Sequence, residues 1–273
     1  RRPVRSYLPW FTPVSRWRPL TGHDLLTHTS GLPRDRDDIP SSPAQGYLAR
    51  ERTLGSAPGT KWVYSNIGFQ VMGQLLESLT RKPYSEAIRQ RILEPLGMTA
   101  TEAGFTHATR LNLAHGYRPL YDDRPNRSSD PLVPAEWVEY GSGDGSIVAN
   151  PADLGAYLIM LLNHGKGPSG EILSSDGYAT LMTPYAKTSR GSDVSYGYGM
   201  FVGKLGAYDA FWHSGGMLGY STYLVGIPSL GIGAVAFVNG PGAPATIARY
   251  ATSALAAAIQ NEPLPDPPGS PEP

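Results

Sequence analysis

The sequence predicts an α+β fold, with helices before about residue 190 and an antiparallel sheet after it. The first observation is a set of apolar residues that recur at steps of three and four between residues 66 and 82, as on one face of a helix. The second is a series of short runs rich in aromatic and β-branched residues over residues 196–239. Because two to six turn residues join these runs, neighbouring strands must be antiparallel.

The composition excludes several classes of protein. Lys and Arg total 23 and are balanced by 23 Asp and Glu, so no strong field is available to bind nucleic acid. The absence of Cys excludes disulfides, thiolate metal sites and cysteine catalysis. The longest apolar stretches, 232–238 and 251–259, are far shorter than the ~20 residues that cross a bilayer, so no transmembrane segment is predicted.

The first predicted elements are an extended segment and a short helix. Residues 1–20 are expected to lack regular structure, because four prolines bias the residues before them away from helix. A helix is expected to begin at Thr21, which has capping-box spacing to Asp24, and to stop at Gly31.

Three longer helices are predicted before the sheet. Apolar periodicity indicates one over residues 66–82. The next is expected to end at Pro95 and Gly97. The last is expected to begin after the cap Asn150 and to stop at Gly165.

The last third is predicted to contain four strands, one helix and a tail. The Ala-rich residues 246–260 are predicted to form a helix that covers one face of the sheet. Six of the thirteen residues from 261 onward are Pro, so that segment cannot form a core. The four strands are predicted at 196–203, 207–213, 220–227 and 231–239.

Tyr64-Ser65-Asn66 stands at the start of the clearest helix and is the first candidate site. The helix dipole could lower the pKa of a phenol held there, which would suit Tyr64 to act as a general base. Alternatively, Tyr64 packs as a hydrophobic staple and Asn66 caps the helix. A triplet this short also arises by chance, so by itself it leaves both interpretations open.

His213-Ser214-Gly215-Gly216 at the end of a predicted strand is the second candidate site. Its glycines would let a substrate lie against the strand edge and bind backbone N–H groups. The alternative is a hairpin turn with a hydrogen-bonded histidine. By contrast, residues 141–145, Gly-Ser-Gly-Asp-Gly, are predicted to be a flexible surface loop and not a phosphate cradle, because no Lys-Ser/Thr follows them.

Seven segments in order along nearly the whole chain resemble the serine β-lactamase and penicillin-binding-protein-like hydrolases. The resemblance is to the branch of class C β-lactamases, esterases and D-amino-acid peptidases. The segments are Tyr7-Leu8-Pro9, the run from Leu25 to Pro33, Tyr64-Ser65-Asn66, the run from Glu94 to Met98, the run from Gly145 to Asn163, Tyr198-Gly199-Met200, and His213-Ser214-Gly215-Gly216.

The resemblance implies a β-lactamase/transpeptidase-like fold. In that fold an α/β domain formed by both chain ends encloses a mostly helical domain, and the active site lies in the cleft between them. The chain would then consist of a connecting segment (1–20), a mostly helical domain (21–190), the C-terminal part of the α/β domain (191–260) and a Pro-rich linker or tail (261–273).

The resemblance also implies roles for the two candidate sites. Tyr64 would exchange protons with the nucleophile and the leaving group, and the Gly216 N–H would be one oxyanion donor. The residues implied in substrate binding are Asn66, His213, Ser214 and Gly215.

The family's nucleophile, the Ser of a Ser-x-x-Lys motif, has no counterpart in this sequence. None of the five lysines has a Ser three residues before it. One explanation is that the chain is an excerpt that begins after the nucleophile helix, and the other is a degenerate relative that binds without catalysing. The absence of an initiator Met favours the excerpt. Expressed alone, the chain is therefore expected to be inactive and prone to aggregation.

The function implied for the parent protein is that of a serine hydrolase, which forms an acyl-enzyme with a small-molecule ester, D-amino-acid peptide or β-lactam. No metal or organic cofactor is implied. The resemblance places His213 at a position where relatives have Lys or His. A neutral imidazole attracts a substrate carboxylate less than Lys does, which favours D-peptidase or carboxylesterase activity. The alternative is a non-catalytic module that binds peptidoglycan-like peptides. Because the family's members are mostly exported or membrane-tethered, the resemblance favours an extracytoplasmic location.

Overall fold

The N-terminal segment packs onto the first helices. A computed structural model describes residues 2–34, 53–121, 123–125, 127 and 129–269. Residues 2–20 largely lack regular structure, as expected, but Val4–Ser6 form one 3-10 turn. The turn forms because Val4, Leu8 and Phe11 are buried in the same apolar cluster as Val71.

Helix α1 (Gly22–Leu26) begins where the capping-box spacing predicts. The Thr21 N–H donates to Asp24 Oδ2 over 2.9 Å, and Arg18 donates to both oxygens of that carboxylate over 2.7 Å. The helix ends five residues before the predicted stop at Gly31, because Thr27 leaves the helical region and His28 has a φ of +57°.

The periodic segment forms helix α2 (Asn66–Thr80), which confirms the predicted helix to within two residues at its end. After it come α3 (Tyr84–Ile88), a π-helical turn (Arg89–Leu93) and α4 (Glu94–Leu96). The predicted stop at Pro95 was wrong, because this proline lies in the first turn of α4, where no N–H is needed. Gly97, with a φ of +69°, is the terminator.

Between α4 and the sheet lie short elements that the sequence did not indicate and one helix that it did. Helix α6 (Pro151–Leu162) begins at the predicted cap, where Asn150 Oδ1 accepts from the Asp153 N–H over 2.8 Å. The other elements are α5 (His107–Arg110), the paired strands β1 (Tyr117–Pro119) and β2 (Leu132–Pro134), the paired strands β3 (Lys166–Gly167) and β4 (Gly170–Glu171), and α7 (Ser175–Met182).

Among the residues that the structure describes, the main sheet contains six antiparallel strands in the order β10-β9-β8-β7-β6-β5. The predicted strand 196–203 is two strands, because the chain turns at Gly199, which has a φ of +83°. The predicted strand 207–213 runs on to Met217. The strands are β5 (Ala186–Lys187), β6 (Ser195–Tyr196), β7 (Phe201–Leu205), β8 (Tyr208–Met217), β9 (Tyr220–Ile227) and β10 (Ile232–Val238).

One helix covers each face of this sheet. The C-terminal helix α8 (Pro244–Gln260) packs over Tyr223 and Val225, as predicted for residues 246–260. Their neighbour Leu224 points to the other face and packs with residues of α6. The two-residue alternation of the strand therefore divides the core into two layers. The architecture is therefore of the α+β class that the sequence predicts.

Candidate active site

All six site residues named from the sequence line one cleft. The cleft has a volume of about 830 Å³ and lies between the start of α2 and the end of β8. Tyr64 and the His213 ring, which are 149 positions apart in the chain, have ring centroids 6.3 Å apart. The six residues are Tyr64, Asn66, His213, Ser214, Gly215 and Gly216.

The cap of α2 is Ser65, and not Asn66 as the alternative interpretation of the motif held. Ser65 Oγ accepts from the Gly68 N–H over 3.1 Å and donates to the Pro33 carbonyl over 2.6 Å. Asn66 is the first residue of the helix, and its backbone N–H donates to the Arg34 carbonyl. Its side chain is therefore not used for capping and lines the cleft.

His28 holds the backbone on both sides of Tyr64. Its carbonyl accepts from the Val63 N–H over 2.8 Å, and its Nδ1 accepts from the Ser65 N–H over 3.0 Å. Its ring centroid lies 4.2 Å from that of Tyr64. One residue thus fixes the position of Tyr64 through two hydrogen bonds and a ring contact.

The protonation state of His28 follows from its surroundings. The residue is 1% exposed, and burial together with repulsion from His213 lowers its pKa to about 3. It is therefore neutral, with Nδ1 as the acceptor and the proton on Nε2, which has no hydrogen-bond partner among the described residues. His28 lies in one of the segments that resemble the family, but no sequence signal reveals its positive φ or its contact with Tyr64.

The end of β8 has a free edge in the cleft. Met217 pairs with Tyr220 across a two-residue turn, so these two residues form a hydrogen-bonded pair. Because such pairs alternate along an antiparallel ladder, Gly215 also bonds to β9, whereas the backbone groups of Ser214 and Gly216 point away from it. Strand β7 pairs with β8 only as far as Trp212. The Gly216 N–H is therefore directed at the cleft.

The two glycines of the motif differ in their surroundings. A Cβ on Gly215 would lie 2.3 Å from Thr222 Oγ1, so the cross-strand neighbour excludes any side chain there. A Cβ on Gly216 would meet no described heavy atom within 4 Å. The space beside Gly216 is thus open cleft.

His213 is hydrogen-bonded within the strand and is not part of a turn, since the turn lies beyond Met217. Its Nε2 is 3.1 Å from the Tyr196 hydroxyl, and its ring stacks 5.6 Å from that of Phe201. Burial raises the pKa of Tyr196, so that phenol keeps its proton as a donor to Nε2. Burial lowers the pKa of His213 to about 4, so the imidazole is neutral at pH 7.

The loop at residues 141–145 is a packed wall of the cleft, which corrects its prediction as a flexible surface loop. Gly143 lies so close to α2 that a Cβ would be 2.4 Å from the Phe69 carbonyl. The Asp144 carboxylate accepts from the Tyr140 hydroxyl over 2.6 Å and from Gln70 Nε2 over 3.1 Å. The contacts with Phe69 and Gln70, each 74 positions away in the chain, hold this glycine-rich segment in place.

In the part of the chain that the structure describes, no group of three or more His, Asp or Glu side chains could hold a metal ion. None of the helices described there is long and apolar enough to cross a membrane.

Comparison with known proteins identifies a family whose model matches the chain and several proteins of similar sequence. The sequence model of the family described as Beta-lactamase matches residues 1–269. The unguisins hydrolase ungD' of Aspergillus campestris is 29% identical over 235 residues, which cover 81% of this chain and 42% of that protein. The D-alanyl-D-alanine-carboxypeptidase/endopeptidase AmpH of Escherichia coli is 26% identical over 87% of this chain and 63% of its own length.

Comparison with solved structures confirms the β-lactamase/transpeptidase-like α+β fold that the resemblance implies. The octameric penicillin-binding protein homologue from Pyrococcus abyssi superposes with a TM-score of 0.78 and 26% identity, over 96% of this chain and 60% of that chain. The chain thus spans 42% and 63% of the two curated relatives' lengths.

Proposed function

The chain belongs to the beta-lactamase family of serine hydrolases, and on that basis we propose that the full-length protein cleaves acyl compounds through an acyl-enzyme. The observation that carries the proposal is the convergence of Tyr64 and the Gly216 N–H on one cleft. A proton carrier and an oxyanion donor are the two groups that acyl transfer requires besides a nucleophile.

In the proposed reaction, a serine hydroxyl attacks the substrate carbonyl carbon and its proton passes toward Tyr64. The negative charge that develops on the carbonyl oxygen is stabilised by the Gly216 N–H. Tyr64 then returns a proton to the leaving group as its bond to the carbonyl carbon breaks. Water hydrolyses the acyl-serine by the reverse proton path, while Asn66 and Ser214 hold the substrate.

The serine and its partner lysine are proposed to lie outside these 273 residues. The support is that Ser-x-x-Lys is absent from the sequence, whereas the residues that resemble the family's two other site motifs line one cleft. The 273-residue chain alone should therefore not turn over esters or bind a fluorophosphonate covalently. A labelled serine in this chain, located by mass spectrometry, would contradict this assignment.

The substrate is proposed to be an ester or a D-amino-acid peptide in preference to a β-lactam. The neutral His213 supports this preference, because it replaces the permanently charged Lys of many relatives. The E. coli relative is a D-alanyl-D-alanine-carboxypeptidase/endopeptidase by name, which supports a peptide as the substrate.

The test uses the longest natural polypeptide that contains this chain and the substitution Tyr64→Phe. Loss of the phenol should slow acylation by a nitrophenyl ester by about 10²–10⁴-fold. Tyr178→Phe is the matched control, because Tyr178 lies on α7 against His164 and outside the cleft. Unchanged acylation in Tyr64→Phe would eliminate Tyr64 as the proton carrier.

The missing nucleophile also supports a second candidate, a non-catalytic relative that binds peptidoglycan-like peptides in the same cleft. The residues that precede Arg1 in the natural protein distinguish the two. A Ser-x-x-Lys there supports the hydrolase, and a helix with other residues at either position supports the binding module.

A further inference from the structure

Tyr196 carries a buried phenol that neither candidate motif includes. The residue lies on β6, is 1% exposed and pairs with Phe201 of β7. Its ring centroid is 4.7 Å from that of His28 and 4.8 Å from that of Phe201. These contacts hold the ring in place, so its hydroxyl has a fixed partner, Nε2 of His213, at 3.1 Å.

The hydrogen bond between Tyr196 and His213 has a defined direction. Burial raises the pKa of Tyr196, so the phenol keeps its proton at neutral pH. Among the residues that the structure describes, His213 is the one hydrogen-bond partner of this hydroxyl. A bond in the reverse direction would leave the buried phenol proton without an acceptor, which is unfavourable. Nε2 is therefore the acceptor, and the proton of the neutral imidazole is on Nδ1.

The groups around the His213 ring favour its neutral form. The charged side chains that line the described cleft are Arg34, Arg190 and Asp144. The phenols beside the ring are those of Tyr64 and Tyr196. Burial is the largest cause of the lowered pKa of His213, and Arg190 lowers it further. His28 and His213 also repel each other when both are charged. At pH 7 the ring is therefore neutral, and the position of its single proton decides which nitrogen donates.

The other side of the His213 ring meets the backbone of Ser214. This contact acts to raise the pKa of His213, opposite to the effect of burial. A group that favours the protonated ring is a hydrogen-bond acceptor, so the ring donates to the Ser214 carbonyl. Strand β7 pairs with β8 only as far as Trp212, and Ser214 is the next residue whose backbone faces that side. The imidazole thus binds the first carbonyl on the free edge of β8.

We propose that Tyr196 is a positioning residue, which fixes His213 as the neutral Nδ1–H tautomer and through it holds the Ser214 carbonyl at the free edge of β8. Both ring nitrogens of His213 then bind the protein, so the ring supports the strand and is not itself the substrate ligand that the resemblance implies. The Gly216 N–H, two residues further along the same edge, is left for the substrate. The tautomer does not depend on the proposed function, whereas the effect of Tyr196 on acylation rests on it.

The tautomer is tested by NMR, without turnover. The longest natural polypeptide that contains this chain is labelled with ¹³C,¹⁵N-histidine, and comparison with the spectrum of His213→Gln identifies the His213 signals. Because Nδ1 is joined to Cγ and Nε2 to Cδ2, the bonded carbon shows which nitrogen carries the proton. At pH 7 the proton should be on Nδ1, with a preference over Nε2 of about tenfold from the phenol hydrogen bond.

A pair of variants identifies Tyr196 as the source of the preference. Tyr196→Phe keeps the ring and removes the hydroxyl, so the preference should fall by about tenfold. Tyr157→Phe is the matched control and should leave it unchanged, because Tyr157 is a buried phenol on α6 that packs in a different core cluster. In acylation by a nitrophenyl ester, Tyr196→Phe should lower kcat about tenfold with little change in KM, since the edge of β8 loses its fixed geometry. Tyr157→Phe should keep the wild-type kcat.

Two NMR results overturn the proposal. One is a wild-type His213 that carries its proton on Nε2 or on both nitrogens at pH 7, and the other is a preference that survives Tyr196→Phe. The first needs no variant, so it decides the matter even if Tyr196→Phe does not fold. An altered tautomer with an unchanged kcat would remove the role of Tyr196 in the reaction. The expected tautomer in a protein without hydrolase activity would remove the proposed function and leave the positioning of His213.

Discussion

The Ser65 backbone N–H donates to Nδ1 of His28 over 3.0 Å, although the two residues are 37 positions apart. His28 also binds the Val63 N–H, so both neighbours of Tyr64 are held by one side chain and its carbonyl. The arrangement needs a left-handed residue with a side-chain acceptor, and His28 provides both at a φ of +57°.

The first prediction concerns the hydrogen bond between the Ser65 N–H and His28 Nδ1. His28→Asn keeps an acceptor and tolerates a positive φ, whereas His28→Gly tolerates the φ but has no acceptor. The Ser65 N–H is buried, so His28→Gly should be less stable than His28→Asn by about 1–3 kcal/mol. Urea unfolding measures this difference. Amide hydrogen exchange at Ser65 should be slow in His28→Asn and fast in His28→Gly, and equal exchange would show that the bond does not protect it.

The second prediction concerns the stability of the fold at acid pH. The pKa of His28 is lowered to about 3 and that of His213 to about 4, against about 6.5 in an unfolded chain. Between those values and 6.5 the unfolded state binds more protons than the folded state. The contribution of each neutral histidine to the free energy of unfolding is therefore fully present above pH 6.5 and is lost as the pH falls below it. Each histidine should contribute a slope of up to about 1.4 kcal/mol per pH unit.

Urea midpoints between pH 7 and pH 5 measure this slope. His28→Asn removes one titrating group, so its unfolding free energy should depend on pH less steeply than that of the wild type. His107→Asn is the control, because His107 lies on the short helix α5 away from both rings. A slope in His28→Asn that equals the wild-type slope would show that His28 titrates normally.

The third prediction separates the two glycines of β8. Gly215→Ala places a methyl group against Thr222 Oγ1 and should cost about 1–3 kcal/mol of stability, which Thr222→Ala in the same chain should largely restore. Gly216→Ala meets no described neighbour and should leave stability unchanged or slightly improved. Its methyl group enters the cleft, however, and should slow acylation of the longest natural polypeptide by the nitrophenyl ester. Thermal unfolding and the acylation rate together check both parts, and a destabilised Gly216→Ala would contradict the open space beside Gly216.

The fourth prediction concerns the ion pair between Arg18 and the buried Asp24 of α1. Asp24 is 0% exposed, and although burial acts to raise its pKa, hydrogen bonds from Arg18 and Thr21 lower it. Arg18→Met leaves this carboxylate without its cation and should cost roughly 1–3 kcal/mol, whereas Asp24→Asn with Arg18 intact should cost less. Arg89→Met breaks only exposed pairs with Glu86 and Glu94 and serves as the control. Equal urea midpoints for Arg18→Met and Arg89→Met would contradict the prediction.

The helices and strands could be predicted where local chemistry decides them. The cap at Asn150, the apolar period of α2 and the β-branched runs of β9 and β10 act over a few residues, so their signals are present in the sequence. Errors arose where the backbone turns inside an apolar run, as at Gly199, or where a helix tolerates a proline, as at Pro95.

Local patterns in the sequence are sufficient to predict the α+β class, the order of the longer helices and strands, and the two motifs that line the cleft. They do not predict that His28 holds the backbone on both sides of Tyr64. Periodicity and capping depend on neighbouring residues, so their signals are local. The hydrogen bond between His28 and Ser65 joins residues 37 positions apart and depends on a positive φ that no residue type reveals.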